Sequence, residues 1–363
     1  MKSYPIRQLF RKSWVVLFPL WLSCVDKVDL DLPANELPYI VDGIITDQPG
    51  PDTVKLTKAY PADGTVYPRV GIEGARMAVT DDTGLIDSLI DIGNGYYVTN
   101  TLNGVVGRTY QLSMLIPGDG NDTTRAASSP QRLVEAGTVD SILYEYTSSV
   151  NPDNGQPENG FNIYINATLH PNSGRRLQWN FMGTYLVTTD PAAVQIPIPC
   201  DVPPCGFLTL PCADGCLCCT CYVYTYEGAP ILSQPNVTAG AQLSRVFTQY
   251  IPINKFTFFE RYRVEVTQVE LSEEVFDFYQ AIQKQAQNSS SIFQPPFFEL
   301  KGNVAVQSGS RQVVGTFAAS TVSKRHIYIP RSAVPYELPG GLTPADCRGI
   351  APHSTTEIPP FWQ

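Results

Sequence analysis

Apolar and polar positions alternate in short runs along most of this chain. A two-residue period marks strands with one buried and one wet face. In Val54-Lys55-Leu56-Thr57 the aliphatic residues share one side. Ala75, Met77 and Val79 do the same against Arg76 and Thr80, and Tyr110, Leu112 and Met114 against Thr109, Gln111 and Ser113. Turn signals separate these runs, such as Asp47-Gln-Pro-Gly-Pro-Asp52 and Asp81-Asp82-Thr83-Gly84, where glycine supplies positive φ. Short strands at regular spacing predict an immunoglobulin-like β-sandwich over residues 39–132.

The alternation resumes in a second unit, residues 133–340. Val139–Tyr146, Phe161–Leu169 and Leu177–Val187 read as strands, the last two joined as a hairpin at His170-Pro-Asn-Ser-Gly174. Strands follow near Gln242–Phe247 and Phe256–Thr267, and Val304–Val306, Val313–Phe317 and Ile327–Ile329 are read as closing strands. One stretch changes period. Ser272 is the expected N-cap, Glu273 and Glu274 lie at the positive end of the helix dipole, and Leu271 and Phe276 hold the hydrophobic-staple positions. Val275, Phe278, Tyr279, Ile282 and Ala286 then recur at three- and four-residue spacing, so one short helix is expected, packed on its own sheet. Residues 341–363 are Pro-rich and read as an irregular tail. The fold class expected is mainly β: the sandwich, then a second β-rich sandwich or barrel-like domain with one short helix.

The N-terminus has a different logic. Lys2, Arg7, Arg11 and Lys12 precede the apolar run Trp14–Leu22, and Ser23 stands before Cys24. Charge, apolar core and a small residue form an export signal, residues 1–23. A bilayer span needs about 20 apolar residues, so this run is too short. A small residue followed by cysteine resembles a bacterial lipobox, which implies that Cys24 is acylated and becomes residue one. Trp21 and Leu22 depart from the usual lipobox residues. Asp26, Asp29 and Asp31 follow in an acidic tether, residues 24–38.

An exported chain makes its cysteines candidates for disulfides. Cys200, Cys205, Cys212, Cys216, Cys218, Cys219 and Cys221 crowd an insertion spanning 198–222, and Cys347 lies far away. Seven cannot all pair among themselves, so Cys347 is expected to bond back to one of them. The adjacent Cys218 and Cys219 are expected to take separate partners. Eight cysteines allow 105 pairings, and the sequence does not choose. Metal is the rival reading, but the spacing matches neither zinc ribbons nor ferredoxin runs; neither a metal site nor a cofactor is predicted. Tyr222, Tyr224 and Tyr226 alternate along one strand, so they share a face that either contacts a ligand or partner or lies under a loop.

The net charge of −9 excludes a phosphate-seeking nucleic-acid binder. Catalytic motifs are missing too: no HExxH, no GxSxG and no phosphate-binding loop, and His170, His326 and His353 are dispersed. A non-enzymatic protein is expected.

The runs YIVDGIITDQPGPDTVKLTKA, IEGARMAVTDDTG, GNGYYVTNTLNGVVGRTYQLSM and LKGNVAVQSGSRQVVGTFAASTVSKRHIYI resemble a family of Bacteroidota lipoproteins known only as domain of unknown function 4249. The resemblance extends from about Cys24 to Pro359-Pro360-Phe361-Trp362. It implies an outer-membrane, surface-facing lipoprotein, often encoded beside a TonB-dependent transporter, and no established reaction. The first unit alone also resembles the carboxypeptidase-regulatory type of sandwich. The function expected is an accessory that captures a ligand for such a transporter. A structural or adhesive surface protein is the alternative, and a surface hydrolase a distant third.

Overall fold

Tyr39, Val41, Gly43 and Ile45 point inward along one strand while Ile40 and Asp42 face outward, and this alternation recurs through most of the molecule. The computed structural model describes residues 37–59, 70–118, 122–150, 155, 157–172, 175–189, 195–197, 207–209, 220–226, 229–234, 237–288, 300–338, 347–349, 351 and 353–362. The signal sequence, Cys24 and nearly all of the tether lie outside these residues, as do Cys200, Cys205, Cys212, Cys216, Cys218 and Cys219.

The first run of strands is β1 (Tyr39–Thr46), β2 (Thr53–Lys58), β3 (Arg76–Asp81), β4 (Ile86–Ser88), β5 (Ile90–Asp91), β6 (Tyr96–Val98), β7 (Thr109–Pro117), β8 (Thr123–Ser128) and β9 (Gln131–Arg132). The second run is β10 (Thr138–Val150), β11 (Pro157–Thr168), β12 (Leu177–Thr188), β13 (Gln195–Pro197), β14 (Phe207–Thr209), β15 (Thr220–Tyr226), β16 (Ile231–Leu232), β17 (Gln242–Pro252) and β18 (Arg261–Glu270). Helix α1 (Glu273–Asn288) follows, then β19 (Val304–Ser308), β20 (Val313–Ser320), β21 (Ser323–Pro330) and β22 (Ser354–Thr355).

Two sheets form the first sandwich, ordered β20-β1-β2-β6-β5 and β19-β8-β7-β3-β4, with β9 on β7. Their inner faces share one core, including Val54, Leu56, Tyr97, Val79, Tyr110, Leu112, Ile116 and Phe317. The late strands β19 and β20, read from sequence as closing the second unit, pair here with the first. β20 lies parallel to β1, from Tyr39↔Val313 to Thr46↔Ser320, a pairing that leaves no local pattern. Gly315 marks the closeness of this pair. Its φ is +138°, and a Cβ there would stand 1.9 Å from the Val41 carbonyl oxygen, so a side chain has no room.

The second sandwich sets the sheet β10-β11-β17 against β21-β18-β12-β15-β22, with β16 on β12. β11 and β12 do not pair as the expected hairpin but lie in facing sheets, where Phe161, Ile163 and Ile165 of β11 meet Trp179, Phe181, Val264 and Val266. The buried Trp179 indole donates to Gln268 Oε1 at 2.7 Å, so its polar atom carries no desolvation penalty. β13 and β14 pair as a separate hairpin. The fold is mainly β with one α-helix, and no sheet among the described residues closes into a barrel. The same residues hold no helix long and apolar enough to cross a membrane.

Helix α1 departs from expectation. Ser272 O accepts the Phe276 amide in its first turn, and the staple pair Leu271 and Phe276 share an apolar cluster. That cluster takes Ile44 and Ala318 from the first sandwich and Leu232 and Val269 from the second. Tyr279 Oη donates to Asp42 Oδ1 at 3.1 Å, and Gln283 Nε2 to the Pro230 carbonyl at 3.1 Å. Periodicity predicts an apolar face but not which sheet receives it, and here the helix is wedged between the two units.

Candidate functional site

The outer face of the second unit's larger sheet is built by register. Tyr224 stands opposite Thr184, Thr184 opposite Arg263, and Arg263 opposite Tyr328, so these four side chains form one row across β15, β12, β18 and β21. Tyr226, Met182, Glu265 and His326 form the next. Cys221 and Val223 face the core, which puts Tyr222, Tyr224 and Tyr226 together outside.

The C-terminal segment lies over most of this face. β22 extends the sheet through Tyr222↔Thr355 and Val223↔Ser354. The Trp362 ring meets Tyr222 edge-on at 5.5 Å, and Phe361 meets Tyr224 at 6.5 Å. Two guanidinium groups grip the aromatic pair. Arg261 stacks 4.8 Å from Trp362 and 4.7 Å from Tyr328, while Arg263 stacks 4.0 Å from Phe361. Arg261 Nη2 also donates to the Trp362 carbonyl at 2.5 Å, and Tyr328 Oη donates to that of Phe361. The described residues of the tail, 347–349, 351 and 353–362, therefore form a cover, which accounts for Tyr222 and Tyr224.

Cys347 is bonded to Cys221, so the isolated cysteine does return to the cluster. The bond closes a span of 126 residues, which constrains the unfolded chain by about 5 kcal/mol in the entropy model. It fixes the root of the C-terminal segment beside the strand that the segment covers.

Tyr226 projects past the cover, 54% exposed, into a cleft of about 840 Å³ between the two sandwiches. His353 stands edge-on to its ring at 5.6 Å. The opposite wall belongs to the first sandwich: Lys55, Thr57, Asn94 and Tyr96. Lys55 and Tyr96 are cross-strand partners on β2 and β6, and the Lys55 ammonium sits 4.9 Å above the Tyr96 ring. Asn94 has φ +54°, a turn conformation that asparagine tolerates. The nearby carboxylates accept backbone amides. Glu73 accepts the Asn94 amide at 2.9 Å, and Asp91 those of Gly74 and Gly93 at 2.8 and 2.9 Å. These two amides hold the Asp91 carboxyl below its ordinary pKa.

Of the three tyrosines singled out by sequence, only Tyr226 reaches this cleft. Asn94 and His353 were passed over because they lie outside the strands, and Lys55 and Tyr96 because strand alternation assigns them to an exposed face without saying what the face meets. Their sole trace was the pairing of a cation and an aromatic at the same height on adjacent strands.

Little here resembles a catalytic constellation. His170 pairs with Glu135 at 2.7 Å, His326 packs on Tyr328, and His353 lines the cleft, so the histidines occupy three separate places. No group of three or more His, Cys, Asp or Glu among the described residues is arranged to hold a metal ion. Tyr262, packed beneath the row, is pushed well above the usual tyrosine pKa by burial, with Thr225 Oγ1 at 2.6 Å as its partner.

The family described as "Domain of unknown function (DUF4249)" matches residues 25–326, which takes in the first sandwich, the helix and the second sandwich as far as the first half of β21. No curated protein matches the chain. Among solved structures, it is similar to a DUF4785 family protein from Legionella pneumophila subsp. pneumophila str. Philadelphia 1, at 8% identity and a TM-score of 0.17. The match covers 63% of this chain and 51% of that one, so the chain spans about half that protein's length. A likeness this slight carries no argument.

Proposed function

The chain belongs to the DUF4249 family, and from that premise we propose that it is a non-enzymatic outer-membrane lipoprotein, anchored through Cys24. On this reading it faces the cell surface and captures a ligand for a TonB-dependent transporter. The observation that carries the reading is the cleft between the sandwiches. Binding sites favour such junctions and combine aromatic faces with a few polar groups. Tyr96 and Tyr226 supply the faces; Lys55, Asn94 and His353 supply the polar groups.

A second surface supports a protein partner. β4 and β5 are the outermost strands of the two sheets of the first sandwich. Ile86, Ile90 and Ile92 project from this rim, 68%, 48% and 61% exposed. Apolar edge strands left open are an aggregation hazard unless something covers them. A transporter's extracellular rim fits that need, because the lipid anchor would hold both proteins at one surface.

The test is co-purification from the producing cells in mild detergent, with the wild type and an Ile86→Glu/Ile90→Glu variant. The wild type should bring down a large β-barrel protein, and the variant should lose at least nine-tenths of it while staying folded. Recovery of the lipoprotein alone would overturn the transporter reading. The Cys221–Cys347 bond also favours the alternative of a structural or adhesive surface protein, which predicts lost attachment when residues 198–219 are deleted.

A further inference from the structure

We infer that the cleft takes an acidic saccharide, a chain of sugar rings bearing carboxylate or sulfate groups. This inference rests on the capture reading and names the class of ligand.

The lining selects by charge first. The cleft presents the Lys55 ammonium and no carboxylate, in a chain whose net charge is −9. An acidic protein repels anions at long range, so a cavity whose lining carries a cation and no acid is where an anion is favoured locally. Glu73 and Asp91 are not part of the lining and accept the backbone amides of Asn94, Gly74 and Gly93.

Shape and polarity then select among anions. Tyr96 and Tyr226 are 38% and 54% exposed, one on each wall. Exposed phenol rings offer flat apolar faces with a polar tip, suited to the C–H faces of a pyranose. Thr57, Asn94 and His353 add donors and acceptors to the same lining. A lipid chain would leave these groups without partners, at a desolvation cost for each. A lone phosphate or inorganic anion would leave both rings uncovered. The volume, about 840 Å³, is within the usual range for small-ligand sites and admits a short oligosaccharide.

The experiment is calorimetric titration of the mature chain, residues 24–363, with three probes. These are oligogalacturonate for carboxylates, a chondroitin sulfate oligosaccharide for sulfates, and maltohexaose as the neutral control. The expected result is binding of one or both acidic probes, weakened by added salt, with maltohexaose at least tenfold weaker. Lys55→Met should reduce acidic binding at least tenfold and erase the preference over maltohexaose. Tyr226→Ala should reduce binding of every probe. Both positions are partly or well exposed, so thermal unfolding should match the wild type and exclude misfolding as the cause. Equal binding of maltohexaose with no effect of Lys55→Met would overturn the acidic class and leave capture intact. Failure of all three probes to bind, in a protein that still co-purifies a transporter, would overturn the saccharide inference alone. Failure of both assays would remove the capture reading as well.

Discussion

Asp81 shows how far a single residue can be read. As the first residue of a turn, it is expected to hydrogen-bond its own backbone, and it does. Its Oδ1 accepts Thr83 N at 2.9 Å, Thr83 Oγ1 at 2.7 Å and Leu85 N at 2.9 Å. The ion pair of its Oδ2 with Arg108, also at 2.9 Å, joins positions 27 residues apart and was not legible. The Thr83 hydroxyl, ahead of the other contacts, holds this carboxyl below its ordinary pKa. Its contribution to stability is therefore complete above the ordinary carboxylate value, near about 4, and lost as pH falls through the lowered folded value. Asp52 has the opposite sign, because burial raises its pKa; its cost is relieved as pH falls. Asp81→Asn should lower the denaturant midpoint at neutral pH. It should also flatten the loss of stability below about pH 4, as measured by urea unfolding across a pH series. Cysteine parity likewise pointed to a long-range bond for Cys347, but the choice of Cys221 needed the fold.

At the scale of elements, strands and the helix were legible because burial imposes a period on the sequence. Their partners were not. β20 is buried at seven of its eight positions, yet nothing in residues 313–320 names β1 as its neighbour. The helix shows the same limit: its apolar face was plain, and its position between two units was not. That position makes it the joint of the molecule. Phe276 is 1% exposed in the cluster that spans both sandwiches. Phe276→Ala should cost about 3–5 kcal/mol, and calorimetry should then show two separated unfolding transitions in place of one. A single transition with an unchanged midpoint would mean that the helix does not couple the units.

The whole molecule places two surfaces side by side on the first sandwich: the Ile92 amide of the rim donates to the Tyr96 carbonyl of the cleft wall. One wall of the cleft faces the second unit, and the apolar rim of β4 and β5 runs along the outer edge of the sheets. The Tyr222–Tyr226 row was legible as a shared face, but its cover was not, because Phe361 and Trp362 reach it from the far end of the chain. A cleft between units has no sequence signature at all, since its walls come from residues that local patterning treats as separate. A capture protein that met a transporter along this rim would hold its ligand site at the margin of that contact. The most direct measurement is site-specific photocrosslinking in intact outer membranes, with the crosslinker at position 90. The account predicts a covalent adduct with a TonB-dependent barrel, absent when the crosslinker is moved to exposed Val150 on the second sandwich. Adducts with no protein, or only with a second copy of this chain, would contradict it.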